Sequence, residues 1–185
     1  MRPGRRDFEI RKEVDRVADR KRWMRWALYA VQLLLLFVLQ ETPGLLPPVM
    51  GAKPMLILAA ALTIAMVEDC VPAMAFGIFA GLLADFGGGS AMGYHALVFG
   101  LLCFLLSGLC GTRIQIHVFT AILMGLWSCA VAVVLDWLVL YVARGYSLAA
   151  YALVNAYLPI YFYTLLMIPV CYGLQYLNRR FFGRR

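Results

Sequence analysis

At 185 residues, 63% of them hydrophobic, with a mean hydropathy of +0.79, the chain is too apolar for an ordinary soluble domain, which runs about 45–50% apolar. Its net charge of +7 does not mark a nucleic-acid binder, because ten of the seventeen Lys and Arg fall in residues 1–25 and four more, Arg179, Arg180, Arg184 and Arg185, close the chain. Basic ends around an apolar middle are the topology pattern of a membrane protein.

Residues 1–22 read as a basic cytoplasmic tail or a helix lying on the membrane surface, with only a weak apolar stripe (Phe8, Val14, Val17, Ala18). Trp23 and Trp26 are placed to anchor the entry to a first span, whose core runs from Trp26 to Leu39. A basic leader before an apolar run resembles a signal peptide. Gln40-Glu41-Thr42-Pro43 follows it instead of a small-x-small cleavage site, so the span is expected to be retained. Pro43, Pro47, Pro48 and Pro54 break the entry to a second span at about 49–67, which ends at an acidic turn, Glu68-Asp69. A third span covers 71–86, and Gly87-Gly88-Gly89-Ser90 separates it from a fourth at 92–111. Thr112-Arg113 marks the next turn. A fifth span covers 116–142, Arg144-Gly145 follows, and a sixth covers 148–177, with kinks expected at Pro159 and Pro169.

The fold class is therefore all-α: a polytopic membrane protein with six transmembrane helices, residues 23–178 forming the membrane domain and residues 179–185 a second basic tail. Six crossings put fifteen basic residues on one face and two, Lys53 and Arg144, on the other, which makes both termini cytoplasmic. All connections are short, so neither face carries a catalytic domain. Cys70, Cys103, Cys110, Cys129 and Cys171 form no CxxC pair and read as buried apolar residues. His95 and His117 are too few for a metal pattern, and no P-loop, nucleophile elbow or HExxH occurs. No cofactor or metal is expected, and no enzyme activity.

The most informative stretch is Gly77-x3-Gly81-Leu82-x2-Asp85-x3-Gly89-x3-Gly93-x2-Ala96-Leu97. Positions 77, 81 and 85 fall on one helical stripe, where glycine lets a second helix approach backbone to backbone. A carboxylate on that stripe costs about 2.5–3.5 kcal/mol at a helix centre, so it must face protein, water or the membrane surface. Asp85 reads either as a contact to a partner's helix or as a helix-end carboxylate capping the Gly87–Ser90 turn. With the direction assigned above, Asp85, His95, Asp136 and Asn155 share the outer half of four spans. They form either a polar cavity or scattered, individually solvated groups. Glu68-Asp69 reads as a receiver for a basic segment or as a solvated turn. Tyr151, Tyr157, Tyr161, Phe162 and Tyr163 line a ligand pocket or supply interfacial packing.

The 77–97 pattern closely resembles the signature stretch of the MreD family, small membrane proteins of the bacterial rod-shape system, and the length and order of hydrophobic blocks are similar. The specific match covers about 21 residues; elsewhere only hydropathy matches, and the basic N-terminal tail is longer than the family usually carries. The resemblance implies a non-enzymatic inner-membrane scaffold that binds MreC. It would work with RodA, its partner penicillin-binding transpeptidase and the MreB filament in lateral peptidoglycan synthesis, among membrane lipid and without nucleic acid. The family in turn is similar to the substrate-binding membrane subunits of energy-coupling-factor vitamin transporters, which supplies the alternative function. A transporter subunit would need a small-xxx-small coupling surface, expected on the first span; that span (Leu28 to Leu39) lacks the spacing, although Ala61-x3-Ala65 occurs in the second.

Overall fold

The computed structural model describes residues 5–44, 54–88, 93–113, 118–142, 145, 151 and 153–182. Among the described residues the long α-helices are α1 (Arg5–Glu41), α2 (Leu56–Ala65), α3 (Cys70–Gly88), α4 (Tyr94–Arg113), α5 (Val118–Trp137) and α6 (Leu158–Phe182). Wide π-helical turns extend α5 through Leu138–Val142 and lead into α6 over Leu153–Tyr157. No strand occurs among the described residues. Among the described residues, three stretches are long and apolar enough to cross a membrane: Asp19–Glu41, Cys70–Gly87 and Leu153–Asn178. Shorter apolar helices cover Leu56–Ala65, Tyr94–Cys110 and Ile122–Trp137.

The surface is inverted relative to a water-soluble protein. Val71, Ile78, Leu82 and Phe86 on α3, and Leu158, Phe162, Leu166, Val170 and Leu174 on α6, are all exposed. Their i+4 and i+7 spacing draws apolar stripes along the outside of the helices. Such continuous apolar faces are tolerable only against lipid or another protein.

The centre is α2. All ten of its residues are buried, and α1, α3, α4, α5 and α6 all pack on it. At 1.5 Å per residue it is about 15 Å long, half of a hydrocarbon core of about 30 Å. The span expected at 49–67 is thus a short enclosed core helix, with residues 45–53 outside the described part. Its buried N-terminal amides are satisfied by neighbours: Met55 N–H donates to Thr164 Oγ1 of α6 at 3.0 Å, and Ile57 N–H to Gln40 Oε1 of α1 at 3.3 Å. A helix start without water needs such partners. The Thr63 hydroxyl turns back on the Ala60 carbonyl at 2.8 Å, so it too can be buried.

The basic residues from Arg5 onward continue without a break into the apolar span, because Arg5–Glu41 is one helix. At the sixth span, Pro169 lies inside α6, and the π-helical turn ends just before Pro159. A proline ring at 159 would meet the carbonyl of Asn155 in a regular α-helix, and a wider turn relieves that collision.

The α3–α4 hairpin is the most extensive helix–helix contact. Gly77 and Gly81 are buried in it. A Cβ on Gly77 would stand 2.6 Å from the Phe99 carbonyl oxygen and 2.9 Å from Cys103 Cβ, and a Cβ on Gly81 would run into the His95 and Ala96 backbone. The small face therefore serves an internal contact between backbones. Gly81→Ala should lower stability by about 1–3 kcal/mol, as overpacking does, whereas Gly173→Ala, whose Cβ meets nothing within 4 Å, should be neutral. Thermal unfolding midpoints of the two purified variants in detergent would check this.

Candidate functional site

Two buried polar clusters sit at opposite ends of α3. At its C-terminal end, Asp85 (α3), His95 (α4) and Asp136 (α5) converge, each at most 6% exposed. Asp85 Oδ2 accepts the Gly93 N–H at 2.8 Å and Oδ1 accepts the His95 N–H at 3.2 Å. The side chain thus caps the first turn of α4, where free amides and the helix dipole favour a carboxylate. It caps the start of the next helix, while the glycine turn that follows it lies partly outside the described residues, at 89–92. Gly93 has φ +96°, a left-handed conformation that glycine adopts without strain.

The His95 ring bridges the two acids. Nδ1 is 2.7 Å from Asp85 Oδ1 and Nε2 is 3.4 Å from Asp136 Oδ2. A neutral imidazole has one N–H and can serve only one carboxylate; donation to both needs the imidazolium. The ring also meets Tyr94 and Phe99 edge-on, with centroids 5.1 and 5.6 Å away. The Tyr94 hydroxyl and Asp136 Oδ1 are both buried with no hydrogen-bond partner among the described residues. The cluster can hold a proton and pin three helices together. No group of three His, Cys, Asp or Glu among the described residues can hold a metal ion.

Of the residues singled out from sequence, Asp85, His95 and Asp136 come together, and Asn155 does not. Asn155 is exposed and donates to the Tyr151 carbonyl one turn back at 3.2 Å. Gly77, Gly81 and Ala96 lie inside the hairpin, Gly93 forms its turn, and Gly89 falls outside the described residues. Leu82 and Leu97 point outward, 42% and 68% exposed, and so are not hairpin packing residues. Among the tyrosines, Tyr161 donates to the Leu126 carbonyl at 3.3 Å and ties α6 to α5, while Tyr151 and Phe162 are exposed.

The second cluster was not apparent from sequence. Glu68 is buried, not a solvated turn residue. Arg25 Nη2 donates to its Oε2 at 3.0 Å, and Arg25 Nε lies 2.7 Å from Oε1. Tyr29 donates its hydroxyl to Oε1 at 3.2 Å, Trp26 Nε1 reaches Oε2 at 3.4 Å, and Ser107 donates to the Glu68 carbonyl at 2.6 Å. Glu68 thereby ties the α2–α3 turn to α1 through its carboxylate and to α4 through its backbone carbonyl. The available signal was an arginine at the mouth of the first span and an acid at the turn on the same membrane face. Mid-span glutamines were a further sign: Gln175 Nε2 donates to Gln32 Oε1 at 3.2 Å, linking α6 to α1.

No protein-family model matches the chain, and neither a curated protein nor a solved structure matches it.

Removing the Asp85 carboxylate orphans two buried amides, at about 1–3 kcal/mol each. Asp85→Ala should therefore raise amide hydrogen exchange at residues 93–95 strongly. Asp85→Asn, whose amide oxygen still accepts, should raise it less. Equal protection in both variants would mean that the cap does not hold the α4 start.

Proposed function

We propose that the chain is a non-enzymatic inner-membrane scaffold subunit of a rod-shape or cell-elongation complex. In this reading it crosses the bilayer six times with both ends in the cytoplasm, binds MreC, and helps RodA, its partner transpeptidase and MreB act together. The observation that carries the reading is the 77–97 hairpin. The motif that resembles the MreD signature is the segment whose glycines lock two helices together and whose aspartate caps the second. Both buried polar clusters tie helices to one another, which suits a rigid scaffold better than a reaction centre.

The hairpin also redirects the search for a partner surface. Its small-residue face is consumed internally, so partners would meet its opposite face, where Leu82, Phe86 and Leu97 are exposed. The transporter alternative is weakened, because Ala61 and Ala65, the one small-xxx-small pair considered for coupling, are buried in α2.

A photo-crosslinking residue at position 82, 86 or 97 should capture MreC in cells, and one at buried position 73 should not. Crosslinks from none of the three outward positions would count against the proposed interface. Single cysteines added at the two ends should label from the cytoplasmic side only, and labelling of the ends from opposite sides would refute six crossings.

A further inference from the structure

At the α2–α3 turn the structure opens a cleft of about 610 Å³, lined by residues that include Arg22, Arg25, Trp26, Glu68, Asp69 and Ser107. That is room for roughly twenty water molecules. Its floor is already neutral, because Arg25 and Glu68 are paired there. Its rim carries two exposed side chains of opposite sign, Arg22 and Asp69, and neither has an ion-pair partner among the described residues. Arg25 donates Nη2 to Glu68 and holds Nε within ion-pair distance of it, while Nη1 has no partner among the described residues. Trp26 lines the cleft and Trp23 stands against it edge-on, ring centroids 5.5 Å apart, with Trp23 68% exposed. Tryptophans of this kind sit at headgroup depth in a bilayer.

We propose that this cleft binds a phosphoethanolamine group, the zwitterionic headgroup of an amine-bearing glycerophospholipid. The phosphate would sit on Arg22 and the free edge of Arg25, and the ammonium on Asp69. Charge decides between lipid classes. Two arginines and two carboxylates sum to zero, so a headgroup with both signs satisfies the rim, whereas a purely anionic one leaves Asp69 repelled and unpaired. The apolar outer face of α3, beginning at Val71 beside the cleft, continues along the path the acyl chains would take. This inference does not depend on the scaffold reading.

The test is native mass spectrometry of the purified full chain in mixed micelles holding phosphatidylethanolamine and phosphatidylglycerol in equal amounts. The wild type should retain one phosphatidylethanolamine in preference to phosphatidylglycerol by about fivefold, the scale of one interfacial charge contact. Asp69→Asn should abolish that preference while keeping lipid bound, and Arg22→Gln should weaken retention of both lipids. Both positions are exposed, and circular dichroism would verify that each variant remains helical. Displacement of the lipid by excess soluble O-phosphoethanolamine would identify the headgroup chemistry alone as what is recognised. Resistance to displacement would show that the acyl chains contribute as well. Equal retention of the two lipids by the wild type, or a preference that survives both substitutions, would overturn the proposal.

Discussion

The backbone contact between α3 and α4 at Gly77 and Gly81 is the constraint on which the rest of the arrangement depends. In a bilayer, lipid tails are as apolar as leucine, so no hydrophobic effect would drive these helices together, and close van der Waals contact would have to do so. Glycine on α3 brings the two backbones near enough for Asp85 to reach the first amides of α4. That reach sets the position of His95, and His95 in turn meets Asp136 on α5. One spacing rule thereby passes from a helix pair to a three-helix polar cluster.

The two polar clusters bracket the apolar interior. Glu68 precedes α3 and Asp85 lies near its far end. The intervening turns, at 1.5 Å per residue, separate them by about 25 Å, close to the hydrocarbon thickness of a bilayer of about 30 Å. Each acid stands where its helix would leave the membrane core, and each is surrounded by donors from other helices. Between the ends, α2 can be short because it is enclosed by protein and its end amides borrow acceptors from α1 and α6.

How far the sequence could be read depended on the range of the interaction concerned. Helix content, the breaks at the glycine and acidic turns, and the close-packing character of Gly77 and Gly81 follow from local periodicity and side-chain size. The convergence of Asp85, His95 and Asp136 was one of two readings left open by a shared depth expected from sequence, since one dimension orders residues along the membrane normal but not around it. Asn155, expected at the same depth, is exposed and bonds only its own helical turn. Arg25 and Glu68 are 43 positions apart, and nothing periodic connects them.

Hydropathy, charge asymmetry and residue volume alone determined an all-helical, membrane-suited chain with a close-packing glycine stripe, because these are properties each segment carries by itself. Which surface that stripe meets was decided only in three dimensions, as were the enclosure of α2, the partners of its bare amides and the pairing of every buried charge. The physical reason is that a buried polar group is stable only with a specific neighbour, and that neighbour comes from another helix.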